Sequence, residues 1–151
     1  RAQMYANHMV HGFSDEAARL GLSFEVADTV NSDSGGDAVD AAVQARFRQP
    51  DPPDGLLVGS TTAGMAAIAG AEQTGRMLGR DFDVVGKEAI PLLRRFRRDI
   101  LIVREDVGRA GDFLAKALVA AIEKRDWTER QRLEVPVQAE TGPGPDKGEQ
   151  A

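Results

Sequence analysis

Apolar positions along the chain follow two spacings that take turns. Val10, Phe13, Ala17 and Leu20 recur every three or four residues, with Asp15, Glu16 and Arg19 between them. This predicts an amphipathic helix in the second half of residues 1–20, closed by Gly21. Ser23 to Asp28 alternates instead, which predicts a strand. Turn residues fill Asn31 to Gly36, and Ser34 is placed to cap a helix from Asp37 to Gln49 whose inward set is Val39, Ala42, Val43 and Phe47. The run from Pro50 to Gly55 stops that helix.

The stretch from Leu56 to Gly86 organises the rest. Leu56-Leu57-Val58-Gly59-Ser60-Thr61-Thr62 is a short apolar run handing over to hydroxyl residues, the mark of a buried strand that feeds a capped helix. Met65, Ile68 and Ala69 continue at helical spacing, Gly75 and Gly79 close the helix, and Phe82 to Val85 is a second apolar run. Strand, helix and strand in about 30 residues form a βαβ unit with parallel strands. Ligands of such sheets bind outside the carboxyl ends of the strands, so Gly59, Ser60 and Thr61 mark the place to look for function. Beyond it the pattern predicts one helical turn at Pro91–Phe96 and a buried strand at Ile100–Val103. A helix comes next, from Val107 to about Lys124, capped by Asp106, with the apolar set Val107, Ala110, Leu114, Leu118, Ala121 and Ile122. An edge strand is expected over Leu133–Val137. Residues 1–140 read as one domain, and 141–151, with nothing to bury, as a disordered tail. The fold class is α/β, an open, mainly parallel sheet with flanking helices.

Totals narrow the function. The 151 residues suit a single domain, and the chain is 42% hydrophobic and 28% charged, as soluble globular proteins are. Its formal net charge of -5 makes it a poor binder of phosphate backbones. It has no cysteine, which rules out disulfides and cysteine metal sites and fits a cytoplasmic setting. No apolar run approaches the ~20 residues of a membrane helix.

Candidate chemistry is sparse. The Gly59-Ser60-Thr61-Thr62 turn offers hydroxyls and free N–H groups either to a polar ligand or simply to its own helix. His8 and His11 are three apart but lack a third metal ligand, so surface or cleft positions are expected. Arg94, Arg95, Arg97 and Arg98 read as a solvated basic face. Glu105, just past a buried strand, can accept hydrogen bonds from ligand hydroxyls or enter a salt bridge, whereas Asp106 suits a helix cap. No nucleophile elbow, phosphate loop or dinucleotide fingerprint is present. The inventory favours binding over catalysis, with no cofactor.

Four segments, in order, resemble the C-terminal half of the effector-binding region of LacI/GalR-family transcriptional regulators, over nearly all of Val10 to Val137. They are His11-Gly12-Phe13 with Ala17 and Gly21, Pro53 to Ala67, Gly79 to Gly86, and Ile102 to Gly111. The resemblance implies a periplasmic-binding-protein-like (type I) fold that binds a small sugar-like effector. It also implies a homodimer aided by the small-residue helix Ala63–Thr74, for which close packing on its own sheet is the alternative. Operator DNA would be reached only through a helix-turn-helix that, with the other lobe of the receptor, is expected upstream of Arg1; Val107 to Ile122 is expected in that other lobe. Departures fall at the ligand. Met9 stands where the family usually has Arg, Thr61 where it has Asp, and Lys87-Glu88 where it has an aromatic-Asp pair; Val30 falls near an aromatic that often stacks on the ligand. The implied effector site is therefore Tyr5, Asn7, Met9, Val30, Ser60, Thr61, Glu88 and Glu105. The alternative is a periplasmic-type sugar-binding protein of an ABC transporter, which has the same fold.

Overall fold

The computed structural model describes residues 4–31, 33–88, 92–126 and 137–140. Helix α1 (Met4–Leu20) starts earlier than the periodicity predicts and ends at Gly21, whose φ of 68° is left-handed backbone that glycine adopts without strain. Helix α2 (Gly36–Phe47) buries Val39 and Phe47, as its apolar spacing requires. Then come β1 (Gly55–Val58), α3 (Thr61–Glu72), β2 (Asp83–Glu88), the single turn α4 (Leu93–Phe96), β3 (Leu101–Arg104), α5 (Val107–Ile122) and β4 (Val137–Glu140).

The sheet runs β1-β2-β3-β4. β1 pairs with β2 and β2 with β3 in parallel, with Val58 opposite Gly86 and Glu88 opposite Arg104. β4 closes the far edge antiparallel to β3. Alternation sends Val58, Val84, Gly86 and Ile102 to one face, where α3 lies with α2 beside it. The core is Val39, Phe47, Val58, Ala67, Ile68, Ala71, Leu78, Phe82, Val84, Leu93, Ile100 and Ile102. Small residues set its spacing. A Cβ at Gly70 would lie 2.7 Å from the carbonyl oxygen of Asp40, so α2 and α3 touch backbone to backbone. Gly64 and Gly86 form the notch that receives Leu93, which is 1% exposed and pins α4. Phe47 meets Phe82 edge-on at 5.2 Å, tying α2 to the start of β2.

Several expectations are corrected. Ser23–Asp28 is not a strand: its backbone makes only local bonds, such as Asp28 N–H to the Val26 carbonyl, and no ladder partner lies beside it among the described residues. Phe24 is held by the ring of Phe13 and Glu25 by an ion pair with Arg46. Ser34 does not cap α2; its hydroxyl accepts the Asn31 N–H, and Gly35 takes the cap position. The apolar set of α5 is largely exposed, with Ala120 the residue it buries, and on α3 Ile68 is buried while Met65 and Ala69 are not. The last strand falls at Val137–Glu140. Pro91, Leu133 to Pro136 and the tail from Thr141 lie outside the described residues.

Candidate functional site

The carboxyl ends of β1, β2 and β3 lie side by side, and the residues just past each strand form the candidate site. After Val58 the chain passes Gly59 to Ser60, whose extended backbone turns into α3. The Ser60 hydroxyl accepts the Ala63 N–H at 3.2 Å, satisfying one of the helix's free donors. The side chain is exposed, and its own O–H remains a donor toward solvent. Thr61, half-buried in the first turn, makes no side-chain hydrogen bond to any other described residue.

Met9 reaches this place from α1. Its terminal methyl sits where a side chain on Gly59 would be, 2.9 Å from a Cβ built there. A thioether therefore covers the end of β1. Across the sheet, the Lys87 ammonium at the end of β2 pairs with the Glu105 carboxylate just beyond β3, 2.7 Å apart. Both side chains are part-exposed, 30% for Lys87 and 45% for Glu105. Glu88 is the last residue of β2, in register with Arg104. One residue past Glu105, Asp106 accepts the Arg109 N–H at 3.0 Å and caps α5, as its position predicts.

The structure thus brings Met9, Ser60, Thr61 and Glu105 to one edge, with Glu88 in its row. Asn7 and Val30 fall elsewhere. Asn7 is exposed on α1, two residues and so about 200° around the helix from Met9. Val30 packs against the core cluster, because the turn bond from its N–H to the Ala27 carbonyl folds it inward. Tyr5 precedes Met9 by one helical turn, and its side chain lies outside the described residues. Lys87, which the sequence reading names only as replacing an aromatic, lies at the same edge. Its signal was a lone cation ending an apolar strand, next to Glu88.

Other candidates have structural roles. His8 and His11 are exposed, and no group of three His, Asp or Glu able to hold a metal exists among the described residues. Arg97 leaves the basic face to pair with Glu72 of α3, which holds its guanidinium pKa above the ordinary value, while Arg95 and Arg98 stay solvated. A hollow of about 200 Å³ lies at the opposite end of the sheet, between Asp54, Arg80 and Asp83. A second, of about 450 Å³, lies beside the end of α5, at Val119 and Arg125. No described helix is long and apolar enough to cross a membrane.

Residues 1–142 match the family described as periplasmic binding protein-like domain. The chain belongs to that family. The periplasmic binding protein-like domain also resembles solved structures in fold. A LacI-family regulatory protein from Chloroflexus aggregans aligns at TM-score 0.76 and 19% identity, over 88% of this chain and 48% of that one. A LacI-family transcriptional regulator from Mycobacterium smegmatis aligns at TM-score 0.71 and 24% identity, over 94% and 54%. A LacI-family transcriptional regulator from Arthrobacter sp. FB24, solved in complex with lactose, aligns at 0.68 and 18%, over 86% and 48%. The chain spans about half the length of these structures. No curated protein matches it.

Proposed function

We propose that this periplasmic binding protein-like domain is the effector-binding and dimerisation part of a LacI-type transcriptional regulator acting in the cytoplasm. It holds a small sugar-like molecule at the carboxyl ends of β1, β2 and β3 and releases it unchanged. The observation that carries this reading is the convergence of Met9, Ser60, Thr61, Lys87 and Glu105, from four separate elements, on the edge where open α/β sheets take their ligands. Three chemistries meet there: an apolar methyl, hydroxyls and an ion pair, the mixture that ligand sites use to fix a polar molecule with an apolar face. Effector binding closes two lobes and shifts the geometry of a dimer, which couples to an operator through a helix-turn-helix outside this chain. The outward strip of α3, with Thr62, Met65 and Ala69 exposed, supplies the dimer contact.

A thermal-shift screen of sugars, polyols and nucleobases on the intact protein tests the reading. A ligand at about 100 times its Kd adds about 2.7 kcal/mol of stability and raises Tm. The shift is expected to vanish or shrink on Thr61→Ala. A screen without a shift, or a ligand indifferent to Thr61→Ala and Glu105→Ala alike, overturns the assignment.

A further inference from the structure

We infer that Met9 sets the specificity of the crevice at the end of β1, where its thioether takes a carbon-bound methyl of the ligand in preference to a hydroxymethyl. The inference rests on the effector-binding reading above and names the ligand class, a 6-deoxy sugar rather than its hydroxylated parent.

Met9 comes from α1 and is half-buried. Its terminal methyl lies 2.9 Å, and its sulfur 3.7 Å, from the point where a Cβ on Gly59 would stand. Any larger residue at that position would have to push the thioether out of its seat. Gly59 lies outside the left-handed region, so its backbone makes no demand for glycine. Room for Met9 is what the missing side chain provides. The seat adjoins both the strand and the helix, since Val58 ends β1 and Ser60 caps α3.

A thioether offers no donor and only a weak acceptor. A ligand hydroxyl laid on it surrenders its hydrogen bonds to water and receives little in return. A methyl laid there loses no hydrogen bond and gains dispersion contact with the polarisable sulfur. Two hydroxyls stand beside this floor. That of Ser60 accepts the Ala63 N–H and keeps its own O–H as a donor. That of half-buried Thr61 makes no hydrogen bond to any other described residue. Met9, Gly59, Ser60 and Thr61 carry no formal charge. The corner they form suits an apolar group next to an ether oxygen, as in a deoxy sugar whose methyl adjoins the ring oxygen.

The test is calorimetric titration of the intact protein with matched pairs: D-fucose against D-galactose, L-rhamnose against L-mannose, and 6-deoxyglucose against glucose. In at least one pair wild type is expected to bind the deoxy member on the order of tenfold more tightly. Met9→Leu keeps an apolar floor and should keep the preference. Met9→Gln has nearly the same length but brings a donor and an acceptor, and should abolish or invert it. Gly59→Ala sets a Cβ against the Met9 methyl, whose flexible end must swing away, and should narrow the preference too. A merely structural role for Met9 predicts no such dependence on one ligand substituent. If wild type binds the members of every pair equally or prefers the hydroxylated one, the inference falls and the effector reading survives. The same holds if Met9→Gln or Gly59→Ala leaves the preference intact, or if Met9→Leu loses it as fully as Met9→Gln. Should wild type bind only ligands outside these pairs, the inference again falls alone. If nothing binds, both fall.

Discussion

Ser60 shows how far a local signal reaches. A hydroxyl between an apolar run and a helical run accepts one of the helix's first free N–H groups wherever the rest of the chain lies. Ser60 does so, and the Asp106 carboxylate does the same for α5. Ser60→Ala should cost about 1 kcal/mol in urea denaturation, and Ser60→Asp should retain most of it. Asp81 was not legible in this way. Its carboxylate closes the loop ahead of β2, taking two guanidinium N–H groups from Arg80 and the backbone N–H of Met77 at 2.8 Å. The bonds from Arg80, then that from Met77, hold its pKa below the ordinary aspartate value. A carboxyl depressed in the folded state stabilises above the unfolded pKa, and the contribution fades as pH falls through the lowered one. Asp81→Asn should therefore melt lower than wild type at neutral pH. The two melting curves should draw together in acid below the aspartate range, and any coincidence at neutral pH refutes the role. Val30 and Lys87 were not legible for the opposite reason: one packs against the core cluster and the other pairs with Glu105 just beyond a different strand, and neither event leaves a trace in nearby residues.

Elements were legible where one segment supplies its own reasons to form. β1, α3 and β2 lie where Leu56–Gly86 predicts them, since caps, glycines and apolar runs all agree. Ser23–Asp28 has the alternation of a strand but needs a neighbour to bond with, and alternation cannot say whether one is present. Similarly, α5 has a strong apolar stripe, yet Leu114 and Ile122 are 65% and 71% exposed. The stripe tells which face of the helix wants cover and not where cover comes from. Packing between elements depends on positions no period reveals, Gly70 above all. Gly70→Ala drives a Cβ against the Asp40 backbone, which cannot swing aside as a side chain does. It should cost about 1–3 kcal/mol by chemical denaturation. Gly75→Ala meets no neighbour but enters left-handed backbone, so its cost comes from strain alone.

At the scale of the whole domain, the sheet has one well-filled face and one thinly covered one. Val58, Val84 and Ile102 are sealed by α2, α3 and α4, while Leu57 on the other face stays 40% exposed. Phe13, Phe24, Leu114 and Leu118 are likewise exposed among the described residues. The chain spans about half the length of the solved structures it resembles in fold. What the sequence carried at this scale was the order of its segments. Their geometry, with Met9 brought from α1 over the end of β1, required the coordinates.

β1 stands at the margin of the sheet, and on its outer side it makes no backbone bond to any described residue. Such a row of bare amides and carbonyls is a template. It can recruit any extended peptide of matching phase, whether from elsewhere in the same polypeptide or from a stranger. With only four residues, one of them Gly55, the row is short enough to limit the hazard. At high concentration this edge should let copies zip to one another, so the domain should be handled dilute.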